Sequence, residues 1–108
     1  MKQPKLNQIQ QGDVTLIRVE SLPNGTHSII TTGHCVLAEG EHTGHAHTIN
    51  NEDAELIRIG ERMLLRLGSV ATLTHQEHGP IILDPGIYEV GRISEYDYFA
   101  EMTRSVAD

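Results

Sequence analysis

Seven of the 108 residues are histidines, and five of the seven fall in two short windows. The first window is Glu39-Gly40-Glu41-His42-Thr43-Gly44-His45-Ala46-His47, the second His75-Gln76-Glu77-His78-Gly79-Pro80. Side chains of an extended chain alternate with a period of two, so His45 and His47 project from one face. Ile49 shares that face, which predicts that it looks inward and that both imidazoles are partly buried. Two imidazoles on one strand face can donate ring nitrogens to one metal ion at about 2.0–2.1 Å. His42 and Glu41 lie close enough in the preceding loop to add a third ligand. In the second window His75 and His78 occupy a turn and can converge on one ion, with Glu77 as a carboxylate beside them. Imidazole plus carboxylate suits a divalent transition metal: Zn, Fe, Mn, Ni or Cu. In a barrel of short strands the two windows can face one another, but spacing alone does not say that they meet.

A plainer reading competes with this one. Loop histidines are commonly solvated or lie at a subunit contact, where imidazole titrating near neutrality gives a pH-responsive interface. His27 and His34 read as solvated. Cys35 and His34 are adjacent, so on a strand they point to opposite faces and make a poor nucleophile-base pair. Glu39, Glu41, Glu52, Asp53 and Glu55 form an acidic rim that lowers the local potential and favours cations. No phosphate-binding glycine loop and no Ser-His-Asp order is present.

The elements that must position these residues read as strands. Val14 to Glu20 is β-branched and partly alternating. Leu22-Pro23-Asn24-Gly25 is a turn. Ser28 to Thr31 and Cys35 to Glu39 are short strands around a break at Gly33. Ala54 to Ile59 and Arg62 to Leu67 flank Gly60-Glu61, a two-residue hairpin signal. Val70 to Thr74, Ile81 to Leu83 and Ile87 to Ile93 follow, the last two around Asp84-Pro85-Gly86. Arg58, Arg62 and Arg66 would line an exposed sheet edge. Turn signals this regular argue a small all-β barrel or sandwich over residues 12–94. Residues 1–11 are polar and read as a flexible arm. In 95–108, Ser94 as cap and the stripe Phe99, Met102, Val106 suit a short helix packed on the sheet, or a tail.

The order Gly40-x4-His45-x-His47-x4-Glu52-x7-Gly60 resembles the first motif of the cupins, and Gly79-x5-Pro85-Gly86 resembles the start of the second. Tyr88 and Glu89 stand where that second motif carries a histidine. The resemblance covers about residues 40–90. It implies a small β-barrel, a metal held by His45, His47 and Glu52, and dimerisation. Cupin activities include dioxygenases, isomerases and decarboxylases, and other cupins only bind ligands, so fold alone selects none of these.

Composition bounds the function. Fifteen acidic against eight basic side chains give a net charge of −7, which argues against nucleic acid. No apolar run approaches the roughly 20 residues that span a bilayer, so no membrane role is expected. Met1-Lys2-Gln3-Pro4-Lys5 has no apolar h-region, and a single cysteine excludes an internal disulfide; a cytoplasmic location is expected. A core with no Trp and one Phe is small for its chain, which predicts a homo-oligomer. The first expectation is therefore a cytoplasmic, cupin-like barrel binding a divalent transition metal through His42, His45, His47, Glu52, His75 and His78. As an enzyme it would use the metal as Lewis acid or oxygen-activating centre, with Glu41 or Glu77 as base and a small molecule as ligand; the sequence does not decide whether it is one. The alternative is a structural subunit of a homo-oligomeric ring, shell or phage particle with histidines at intersubunit contacts. A metal-free ligand-binding barrel is a third reading, which leaves the histidines unexplained.

Overall fold

The structure, a computed structural model, describes residues 8–40 and 43–93. They form eight strands and no helix: β1 (Gln8–Gln11), β2 (Val14–Val19), β3 (His27–Glu39), β4 (Ala46–Ile59), β5 (Arg62–Leu67), β6 (Ala71–Thr74), β7 (Ile81–Leu83) and β8 (Gly86–Arg92). All pairings are antiparallel. The order β1-β2-β8-β5-β4-β6-β7 runs round a nearly closed barrel of seven strands, with β3 along the other edge of β4. The all-β class expected from the turn spacing is what folds.

The barrel closes because β4 turns a corner. Its second half pairs with β5 from Ala54 to Ile59, its first half with β6 at Thr48 and Ile49. Between Thr32↔Glu55 and His34↔Asn50, β3 advances two residues while β4 advances five, so residues 51–54 bulge out. Such a bulge bends the strand and re-aims its side chains. Inward positions change parity across it: Ile49 before, Ala54 and Leu56 after. The Asn51 side chain fixes the corner by accepting from the Asp53 amide at 2.7 Å and donating to the Val70 carbonyl at 3.0 Å.

The interior is filled by Val14, Leu16, Cys35, Leu37, Ile49, Leu56, Leu65, Leu73, Leu83 and Tyr88. A second, smaller cluster of Ile57, Ile59 and Leu64 lies under Val19, Leu22 and Ile87, so Leu22 of the β2–β3 loop helps cover it. No helix long and apolar enough to cross a membrane occurs among the described residues.

Three local readings change. Gln8–Gln11, read as the end of an arm, is a strand that pairs along β2, because Gly12 at φ 59° turns the chain back. Gly33, read as a break, sits at φ 90° in a bulge, and β3 is continuous. β5 lies between β4 and β8, so Arg62 and Arg66 do not mark an edge; they pair across strands with Glu89 and Glu55. Gly60-Glu61 does form the hairpin turn, with Gly60 at φ 62°. The expected helix or tail at 95–108 and most of the arm lie outside the described residues.

Candidate functional site

The β4–β6 register brings the two histidine windows together. Thr48 stands opposite Thr74 and Ile49 opposite Leu73. Continued past the last backbone pair, that register sets His47 opposite His75, Ala46 opposite Gln76 and His45 opposite Glu77. Each of these pairs is realised as a contact. The His47 and His75 rings are 4.2 Å apart between centroids. The Ala46 amide donates to Gln76 Oε1 at 2.9 Å, and His45 Nδ1 lies 3.3 Å from Glu77 Oε1. His78 completes the group, 4.8 Å from His75 and 6.1 Å from His47.

The third side of the site comes from the β1–β2 turn. A Cβ on Gly12 would meet His78 Nε2 at 2.7 Å and His47 Cε1 at 3.2 Å, so the turn passes close over the imidazoles because it carries glycine. Gln11 is buried, and its amide nitrogen donates to the carbonyls of Leu73 at 3.0 Å and Gly79 at 2.9 Å. That leaves its oxygen as acceptor for His47 Nδ1 at 2.8 Å. His47 therefore carries its proton on Nδ1 and presents a bare lone pair at Nε2. Asp13 Oδ1 faces that lone pair at 3.4 Å. Its other oxygen accepts two hydrogen bonds from Arg92, at 2.7 and 3.2 Å.

The electrostatics keep this pair as two acceptors. Burial pushes the His47 imidazole down to about 4, helped by charge on His75 and His78 and opposed by Asp13. His75 is lowered too, first by burial and then by His78 and His45, against Glu77 and Asp13. Burial raises Asp13, but the bonded, charged Arg92 outweighs it and holds the carboxyl below its ordinary range. At neutral pH no proton lies between His47 Nε2 and Asp13 Oδ1. Two lone-pair donors facing each other without a proton suit a cation between them. A cavity of about 190 Å³ opens beside them, lined by Glu39, Thr43, His45, His75, Glu77 and Arg92 among others.

Of the residues expected from sequence, His45, His47, His75 and His78 meet here, with Glu77 at the rim. Glu52 does not. It lines a separate groove with Asp53, Glu55 and Arg66. The bulge at residues 51–54 turns Glu52 away from His47 and into that groove. The carboxylate beside His47 is Asp13, in the β1–β2 turn at the other end of the strand order. His42 and Glu41 lie outside the described residues. His34 is bonded to Asn50 on the exposed face, while Cys35 is buried on the other. Sequence reasoning misses Gln11, Asp13 and Arg92, because nothing local ties these residues to the histidines. Among the described residues no three His, Cys, Asp or Glu side chains are already arranged to hold a metal ion. His75 Nδ1 accepts from the Glu77 amide at 3.0 Å, which leaves the proton of the neutral ring on Nε2.

Residues 10–93 match the family described as a domain of unknown function, DUF8820, and the chain belongs to that family. The matched span runs from the end of β1 to the end of β8 and includes every site residue just described. No curated protein and no solved structure matches the chain.

Proposed function

We propose that this DUF8820 protein binds a divalent transition metal at the seam between the β1–β2 turn, the start of β4 and the β6–β7 loop. The observation that carries the reading is the 3.4 Å separation of His47 Nε2 and Asp13 Oδ1, which face one another while His47 Nδ1 is bonded to Gln11 and Asp13 Oδ2 to Arg92. Two bonds of about 2.1 Å at the tetrahedral angle place their donor atoms about 3.4 Å apart, whereas a right angle gives about 3.0 Å. The pair is thus spaced for a tetrahedral ion, as Zn²⁺ prefers. His75, His78 and His45 supply the remaining nitrogens. Completing the set takes rotation of loop imidazoles rather than a new fold, and His75 must give up its bond from the Glu77 amide.

Second partners suit ligation as well. Gln11 orients His47 and Arg92 orients Asp13, the kind of outer contact that fixes tautomer and direction at metal centres. Glu77 stands against His45 Nδ1 in the same manner. A bound ion would leave room for a water or small ligand in the adjoining cavity, which is where a Lewis-acid activity would act.

The test is titration of chelator-treated protein with Co²⁺ and Zn²⁺. Tetrahedral Co²⁺ absorbs strongly in the visible and octahedral Co²⁺ does not. The expected result is one equivalent taken up with a tetrahedral spectrum, lost in His47→Ala and in Asp13→Asn while the fold is retained. A parent protein that takes up neither ion at micromolar concentration sinks the proposal.

A second reading, assembly of copies of this chain, has its own support. Ile29 and Ile30 on β3 are 59% and 41% exposed, and among the described residues the outer edge of β3 pairs with no strand. Exposed apolar residues on an open edge suit a homo-oligomer. Solution mass of the parent and of Ile29→Lys tests it; a monomeric parent removes it.

A further inference from the structure

The sheet order leaves one gap. β1 and β7 end the path, and no backbone ladder joins them among the described residues. Gln11, the last residue of β1, reaches across that gap with its side chain. It is 3% exposed, and its amide nitrogen donates to Leu73 on β6 and to Gly79 just before β7. These two carbonyls lie on either side of the loop that carries His75 and His78. The same carboxamide accepts from His47 Nδ1.

We infer that Gln11 is the positioning residue of this centre: one carboxamide locks His47 as the Nδ1–H tautomer and anchors both ends of the histidine loop. The lock works because the amide cannot turn over. Reversing it would aim its oxygen at two carbonyl oxygens and its nitrogen at the His47 proton, losing three hydrogen bonds. Holding the amide and changing the tautomer instead would set the Gln11 oxygen against a ring lone pair. Reversing the amide leaves buried polar groups unpaired, and changing the tautomer exchanges the 2.8 Å bond to Gln11 for a longer, 3.4 Å contact of Nε2–H with Asp13 Oδ1. The tautomer is therefore imposed before any ion arrives, with Nε2 open toward Asp13. Its consequence for affinity rests on the metal-binding reading above; the tautomer itself does not.

Two readouts separate the two claims. The first is the long-range ¹⁵N–¹H correlation of the His47 ring in chelator-treated protein at pH 7.5. The expected pattern is a protonated Nδ1 and a bare Nε2 in the parent, shifting toward Nε2–H in Gln11→Met. Gln11→Glu keeps an acceptor at this point and should retain the Nδ1–H pattern. The second readout is Co²⁺ affinity, expected to fall 10- to 100-fold in Gln11→Met and to recover in part in Gln11→Glu. A parent His47 protonated on Nε2 overturns the inference, and so does an unchanged tautomer in Gln11→Met. If Gln11→Met does not fold, the parent spectrum still decides the tautomer. A parent with the expected tautomer that binds no Co²⁺ leaves Gln11 as the lock and removes the metal.

Discussion

His47 should make the metal-free protein sensitive to mild acid, and the size of the effect follows from its surroundings. The ring is 5% exposed, bonded through Nδ1 to Gln11 and crowded by two other imidazoles. Burial and those neighbours bring it from an ordinary 6.5 to about 4 in the fold. Between these two values the unfolded chain binds a proton that the native state refuses. The stabilisation is therefore complete above about pH 6.5 and is lost as pH falls toward 4. Linkage puts the loss between pH 7 and pH 4.5 at about 2 kcal/mol. Small domains have only about 5–15 kcal/mol in total, so this is a large share.

Urea unfolding of chelator-treated protein at pH 7, 5.5 and 4.5 measures it. With a slope of about 1 kcal/mol per molar urea for a domain this size, the midpoint should fall by about 2 M across the series. His47→Gln removes the titrating ring while keeping an amide that can donate to Gln11. It should lose most of the pH dependence and keep the smaller part due to His75, which is lowered for the same reasons. Asp13 acts in the same direction but at lower pH, since its carboxyl sits below the ordinary carboxylate range. A parent equally stable at pH 7 and pH 4.5, or a variant with the parent's full slope, refutes the account of His47 as a neutral, buried acceptor.

Three further perturbations separate the parts of the structure. Gly12→Ala introduces a Cβ 2.7 Å from His78 Nε2 at φ 59°; about 1–2 kcal/mol of stability should go, with His78 displaced and Co²⁺ affinity reduced, read by unfolding and titration of the same sample. Leu65→Ala empties a fully buried position at the centre of the barrel and should cost about 3–5 kcal/mol in urea unfolding; less than 1 would mean the core is not packed as described. Tyr88→Phe removes the hydroxyl that donates to the Asp84 carbonyl at 2.7 Å and accepts from Arg18, and should cost about 1 kcal/mol with metal affinity unchanged.

The strands were legible because their signals are local. β2, β5, β6 and β8 each carry an apolar run bounded by Gly, Pro or Asn, and the β4–β5 hairpin announces itself in Gly60-Glu61. The inward face of His47 and Ile49 was legible too, from alternation alone, and both are buried. The failures share a cause. Gly33 carries the same local signal whether it ends a strand or bulges within one, and only the partner strand decides. Gln8–Gln11 has no apolar alternation, so its strand exists because β2 offers an edge to pair with. Convergence of the histidine windows depends on the β4–β6 register across 26 residues, set by the corner at residues 51–54 rather than by either window. The cupin spacing put a carboxylate at Glu52, but the bulge at residues 51–54 turns it into another groove. Asp13 meets His47 because the barrel nearly closes, and closure is a property of the whole sheet.

That closure also explains why the centre sits where it does. Elsewhere round the barrel neighbouring strands are joined by backbone ladders that side-chain changes leave intact. At the seam the joins are side-chain contacts: Gln11 to Leu73 of β6 and to Gly79, two residues before β7, and Asp13 toward His47. Arg92 occupies Oδ2 of Asp13 and so leaves Oδ1 free to face the ring. An ion held by Asp13, His47 and one of the loop imidazoles would tie three separate elements across the gap that hydrogen bonds span only in part. Binding to the native state alone stabilises it in proportion to the logarithm of metal over its dissociation constant, about 2.7 kcal/mol at a hundredfold excess. That gain would be concentrated at the seam. Amide exchange should therefore slow on metal addition in β1, β6 and the residues around Gly79, and change little in the β4–β5 hairpin. Uniform slowing across the barrel would place the ion's effect on global stability and not on closure of this gap.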